Sequence, residues 1–335
     1  MIGLFIILAL VLFLPFTVPF VEKNLEVFLF VMGILAVIVS GVFTNELLKH
    51  ALTDPIQITI AVIAAGLLFK WFYHSLKKGI SSLSRKIPFP IFIASVVIIL
   101  GLLSSIITAI IAALVLVLIV SVLELERKSE LYLVVISCFS IGLGAALTPI
   151  GEPLSTITIG KLKEDFYYLW DLLSIYIVPC VIVLGIFAAF MVKPKQASGL
   201  ISETQIESYQ DIVIRGAKIY LFVMGLTFLG AGFEPLINKY LINLHPMILY
   251  WVNMISAVLD NATLAAAEIS SQMSSYSIKA VLLGLLISGG MLIPGNIPNI
   301  ISAGKLNITS KEWAKIGVPI GLVLMIVFFI ILLIA

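Results

Sequence analysis

Charge is what this sequence has least of. Only 11% of its 335 residues are Asp, Glu, Lys or Arg, while 61% are hydrophobic. A soluble domain carries about a quarter charged residues, so a water-soluble globular domain is excluded. The composition is that of an all-α polytopic membrane protein, whose surroundings are a lipid bilayer and not a nucleic acid. Cysteine is nearly absent. Cys138 and Cys180 lie in apolar runs without metal or disulfide spacing and read as small core hydrophobes. Histidine is equally sparse: His50, His74 and His245 fall at predicted membrane edges, and none has a partner at ligand spacing. The first apolar run lacks a basic n-region and a small-residue cleavage site, so it reads as a retained helix rather than a signal peptide.

What is present is a series of long apolar runs. A spanning helix needs roughly 20 such residues, which predicts segments at about 2–20, 25–44, 55–73, 132–162, 166–192, 212–233, 277–306 and 312–335. Two of these, 132–162 and 277–306, are too long for simple spans and contain Pro and Gly clusters, so they read as broken helices. Two further apolar stretches, 88–123 and 246–270, have polar centres, "LLSSIITAI" and "ISAVLDNATLA". A turn exposed to hydrocarbon would leave backbone groups unpaired, so both are expected to be re-entrant helical hairpins with protected tips. The mixed segments 74–87 and 234–245 each precede a hairpin and are expected to lie along the interface as amphipathic helices.

With that topology, Lys49, Lys161, Lys163, Lys239 and Lys279 fall on one side and the other fifteen of the 20 basic residues on the opposite side. The positive-inside rule makes the richer side cytoplasmic. The protein is then a multi-pass protein of the cytoplasmic (inner) membrane, with both termini outside.

"GEPLSTITIGKL" (151–162) aligns with "GNIPNIISAGKL" (295–306) at an offset of 144 residues without a gap. Glu152 meets Asn296 and Ser155 meets Asn299. Upstream, "SSIITAI" (104–110) falls against "SAVLDNA" (256–262), so Thr108 matches Asp260. The chain therefore divides into two N-terminal helices (1–54), a first repeat (55–192), a polar cytoplasmic linker (193–211) and a second repeat (212–335). Charge places the two hairpins' ends on opposite sides, which makes the repeats inverted. Inverted repeats with discontinuous helices are a transporter architecture.

Pro149, Gly151 and Pro153 in one half, and Pro294, Gly295 and Pro298 in the other, interrupt their helices and free backbone groups. The freed carbonyls are expected to coordinate a cation. Glu152 and Asp260 are the carboxylates best placed for charge, and an ionised group in hydrocarbon costs about 2.5 kcal/mol or more. Asn261, Asn296, Asn299, Ser104, Ser105, Thr108, Thr148, Ser155, Thr156 and Thr263 supply neutral oxygens, which suit a hard ion such as Na⁺. Asp260, Asn261 and Asn296 are its expected ligands. Glu268, two turns beyond Asp260, is expected near the outer surface in a solvated role.

These residues resemble the ion transporter superfamily, which includes NhaD-type sodium/proton antiporters, arsenite exporters and sodium-coupled dicarboxylate carriers. "ALTPIGEPLSTITIG" looks like its first broken element, "SAVLDNATLAAA" like its second hairpin tip and "GGMLIPGNIPNIISAGKL" like its second broken helix. The first tip lacks the Asp-Asn pair of many relatives, Glu152 stands where aspartate is common, and the Ser-Asn-Thr signature of dicarboxylate carriers is absent from both tips. The resemblance implies an elevator-like carrier, usually a homodimer, and extends to an uncharacterised branch of predicted cation transporters.

The expected function is a secondary transporter exchanging Na⁺, or a similar monovalent cation, for H⁺, with no enzymatic activity and no resident cofactor. Two acids and no base lie at midplane depth, whereas an organic-anion carrier would more often offer a cationic clamp. The alternative is a Na⁺-coupled symporter of a small anion; a channel and an aspartyl-type intramembrane protease are remoter.

Overall fold

The computed structural model describes residues 2–194, 208–240, 244–259, 261–270 and 272–334, and every regular element among them is a helix. The chain opens with α1 (Ile2–Thr17), α2 (Pro19–Lys23) and α3 (Leu25–Ser40), followed by a long α4 (Asn45–Lys86). Then come α5 (Phe89–Ile107), α6 (Ala109–Leu123), α7 (Arg127–Ala145), α8 (Pro153–Leu162) and α9 (Tyr168–Met191). The remainder holds α10 (Tyr209–Tyr240), α11 (Pro246–Val252), α12 (Asn261–Glu268), α13 (Ser275–Gly289), α14 (Ile297–Leu306) and α15 (Ser310–Ile334). Among the described residues six helices are long and apolar enough to cross a membrane: Asn45–Ala64 within α4, α5, α7, α9, Tyr209–Leu236 within α10, and α15. The chain is a multi-pass integral membrane protein.

The N-terminal helices are shorter than their apolar runs suggest. At 16 residues each, α1 and α3 span about 24 Å, short of a hydrocarbon core of about 30 Å. α2 extends α1: Val18 and Glu22 donate to the carbonyls of Leu14 and Val18 at 2.9 and 3.1 Å, carrying the ladder across a kink at Pro19.

The expected interfacial helices at 74–87 and 234–245 are not separate elements. Residues 74–86 continue α4, and 234–240 continue α10, while 241–243 lie outside the described residues. The physical reason is local. Between Trp71 and Lys86 the only weak helix former of note is Gly79, which costs about 1 kcal/mol, and nothing breaks the chain before Pro88. Most of the linker (195–207) also lies outside the described residues.

The two central helices are wrapped by the others. Every residue from Leu133 to Thr148 is buried, and so is every residue from Ala280 to Asn296. Both runs are buried on every side, so neither presents a face to lipid or water. Small residues allow the approach: a methyl group on Gly144 of α7 would overlap the Gly101 carbonyl of α5.

At one end of the bundle the Arg127 guanidinium uses all three nitrogens. Nε and Nη2 donate to the two Glu312 carboxylate oxygens at 2.8 Å, Nη1 to Glu130 at 2.9 Å, and Nη1 and Nη2 also to the carbonyls of Leu306 and Asn307. α7, the end of α14 and the start of α15 are thereby tied together. Lys218 pairs with Glu26 at 2.8 Å, and Ser129 accepts from the Lys193 amide at 3.1 Å.

Candidate functional site

Proline and glycine set the local geometry of both interruptions. After α7 the chain leaves the helix at residues 146–152 and re-enters at Pro153; after α13 it leaves at 290–296, through a 3-10 turn Ile293–Gly295. Glu152 and Asn296 are the N-caps, with nearly the same extended backbone, φ −156° ψ 160° and φ −154° ψ 148°. The short helices that follow have 10 residues each and end at left-handed residues, Lys163 and Asn307. Every one of these positions is related to its counterpart by 144 residues. Gly151 and Gly295 sit where the chain folds back on the preceding helix: a side chain there would overlap the carbonyls of Ala145 and Gly289 respectively.

The tip between α5 and α6 is a single residue, Thr108, at φ 76° ψ 150°. Glycine alone reaches this region easily, and a β-branched residue held there is strained by about 1–3 kcal/mol. The tip is docked on the first break: the Ala109 amide donates to the Gly151 carbonyl at 2.9 Å, the Thr148 hydroxyl donates to the Ser105 carbonyl, and the Ser104 hydroxyl reaches the Ile141 carbonyl at 2.9 Å. Backbone groups at the tip and at the break are thereby paired within the protein.

Thr108, Gly151, Glu152, Pro153, Thr156 and Asn296 line one cavity of about 350 Å³, with Ala109, Ile110, Ile150, Ile157 and Ile297 as its apolar walls. Three helices, α6, α8 and α14, begin at this cavity, each presenting its N-terminal end. Glu152 is buried in it, 5% exposed.

The freed carbonyls are largely engaged by the protein itself. Ser155 donates to Ala146 at 3.2 Å and Thr156 to Pro149 at 2.6 Å. Asn299 Nδ2 donates to Gly289 and Leu292 at 2.8 and 2.9 Å, and Trp313 to Gly290 at 3.2 Å. Ser105 turns to the Leu102 carbonyl at 2.7 Å. Ser104, Ser105, Thr148, Ser155 and Asn299 thus brace the breaks and the tip. Of the predicted ligands, Thr108, Glu152, Thr156 and Asn296 line the cavity; Thr156 is bonded to the Pro149 carbonyl and Asn296 Oδ1 caps the Ile297 amide at 2.8 Å.

Asp260 lies outside the described residues, as does the side chain of Thr263. Asn261 opens α12, is 4% exposed, and its Nδ2 has no hydrogen-bond partner among the described residues. It does not line the cavity that holds Asn296. Glu268 is not solvated: it is 6% exposed and accepts from Asn253 Nδ2 at 2.9 Å. α12, which it ends, packs against α8, α10 and α13. Asn253, fully buried, was missed by sequence reasoning. Its signal was available: an amide in an otherwise apolar run, at a depth where polar side chains are costly. Among the described residues no group of three His, Cys, Asp or Glu side chains could hold a metal.

No curated protein matches the chain. The family model described as "Protein of unknown function (DUF1646)" matches residues 1–335, and the chain belongs to that family.

Proposed function

We propose that this protein is a secondary active transporter of a small ion, built from two inverted repeats and working by elevator-type alternating access. One observation carries the proposal: a hairpin tip, a first helix break and a second helix break, from distant parts of the sequence, meet in one cavity through Thr108, Glu152 and Asn296. The common offset of 144 residues supports the repeat, since α8 and α14, their N-caps and their left-handed ends all obey it. So does the bracing: Ser155 and Asn299, again 144 apart, each reach back to the carbonyls that end the preceding helix. The basic residues assign the Arg127 end to the cytoplasm and both termini to the outside. The cargo of the leading proposal is Na⁺ or another monovalent cation exchanged for H⁺. Asp260 is the carboxylate that alternates between cation and proton, and Glu152, which lines the cavity, is the second carboxylate.

A specific feature favours a second assignment. Three helix N-termini at one cavity are an anion-binding arrangement, so a Na⁺-coupled symporter of a small anion is the alternative. Proteoliposomes separate the two. A Na⁺ jump across the membrane, with an internal pH dye, is expected to move protons. If no monovalent cation moves protons but Na⁺ drives uptake of a small anion, the symporter replaces the antiporter. If the protein does neither, the transporter proposal falls.

A further inference from the structure

Away from that cavity, the second half buries a carboxylate that the proposed exchange does not use. Glu268 ends α12, and Asn253 starts the 3-10 segment Asn253–Ala257. They share one hydrogen bond, Asn253 Nδ2 to Glu268 Oε2 at 2.9 Å. The other oxygen of each side chain, Glu268 Oε1 and Asn253 Oδ1, is buried and has no partner among the described residues. Both are acceptors, and an ionised carboxylate gives neither of them a donor.

The neighbouring hydroxyls are committed elsewhere. Ser288 donates to the carbonyls of Asn253 and Gly284 at 2.7 and 2.6 Å, and Ser256 to that of Leu285 at 3.0 Å. Among the described residues no ion pair compensates the charge. The ionisable residues on the helices packed against α12 include Lys161 on α8, Lys279 on α13, and Asp211, Lys218, Glu234 and Lys239 on α10. None of them is bonded to Glu268 among the described residues; Lys218 pairs with Glu26, and Lys279 lies over the Tyr176 ring. A lone carboxylate so placed is strongly disfavoured, and a buried acid in that position takes up a proton instead. A single proton on Oε1 removes the uncompensated charge and turns one of the two orphaned acceptors into a donor. A sodium ion would need several more oxygens than the two left over here.

We propose that Glu268 and Asn253 form a proton-binding site, with the proton on Glu268 shared with the Asn253 amide oxygen and released as the transporter changes state. The release step rests on the antiport proposal above; the binding step does not. Loading adds H⁺ to Oε1 of the carboxylate to give the neutral acid, and unloading returns it, with no other bond changed.

The test pairs infrared spectroscopy with transport, on the full chain in lipid. The wild type is expected to show a protonated-carboxyl band at neutral pH. Glu268→Gln should abolish that band, and Asn253→Ala should shift it. In proteoliposomes Glu268→Gln should cut Na⁺-driven proton movement at least tenfold. A wild type without the band, or a band untouched by both substitutions, overturns the site. A band assigned to Glu268 together with wild-type proton exchange in Glu268→Gln overturns its role in transport. A wild type that moves no protons with any cation, yet keeps the Glu268 band, refutes the antiport proposal and supports proton binding. Should Glu268→Gln fail to fold, Asn253→Ala alone still decides the site, because an acid without this amide partner cannot shift with it.

Discussion

The two helix breaks are alike in backbone and unlike in chemistry. Both cap a 10-residue helix with an extended residue and close it with a left-handed one. The first carries Glu152 and the second Asn296, at the same place in the turn. The asymmetry is crossed with that of the hairpins: the first tip, Ser104 to Thr108, holds no charge, while the second carries Asp260 with Glu268 beyond it. Each half thus supplies one charged and one neutral element. Equivalent positions of the two breaks carry one carboxylate and one amide rather than two like charges.

The scaffold itself should respond most strongly to substitution. Gly151→Ala drives a methyl group into the Ala145 carbonyl, a deeper overlap than Gly295→Ala makes with Gly289. We expect a loss of about 3 kcal/mol for the first and about 1–2 kcal/mol for the second, read as unfolding of the purified protein in detergent. Equal losses would mean that the breaks are packed alike.

Charge is tested next. Glu152→Gln is expected to slow Na⁺-driven exchange at least tenfold, about 1.4 kcal/mol, and Asp260→Asn to abolish it in folded protein. Asn296→Asp keeps the cap on Ile297 and should cost only a few-fold. If Asn296→Asp is as damaging as Glu152→Gln, the neutral break is as demanding as the charged one. A smaller effect concerns the far ends of the short helices. Arg127 clamps the end of α14, whereas the end of α8 is held by the Lys163 amide on the Ile159 carbonyl at 2.9 Å. Arg127→Lys loses the paired bonds to Glu312 and should cost about 1 kcal/mol, more at low than at high ionic strength in a denaturant titration. Smallest, and opposite in sign, Thr108→Gly should gain about 0.5–1 kcal/mol by relieving the left-handed tip. A loss there would show that the long contact of its hydroxyl with the Ile111 amide, 3.4 Å, outweighs the strain.

The parts legible in the sequence were those governed by short-range chemistry. Pro149, Gly151 and Pro153 interrupt a helix wherever it is placed, and their repetition at 294, 295 and 298 could be read without coordinates. The polar centre "SSIITAI" likewise marked the α5–α6 turn. What escaped depends on packing. Glu268 was assigned to solvent because nothing in its neighbours along the chain announces the helices that cover it. The hydroxyls of Ser104, Thr148 and Ser155 were read as ligands, but whether a hydroxyl meets an ion or a carbonyl depends on what folds over it. The run 74–86 looked interfacial from its charge, yet helix continuity is decided by the absence of a breaker.

The ten-residue helices have a consequence for biogenesis. α8 and α14 are each about 15 Å long, half the thickness of the bilayer core, so neither can enter the membrane as an independent span. These segments depend on neighbours for their place in the membrane: α8 packs on α9 and α12, and α14 on α6 and α7. The cavity that their N-termini line is therefore expected to close only once these neighbours are in place.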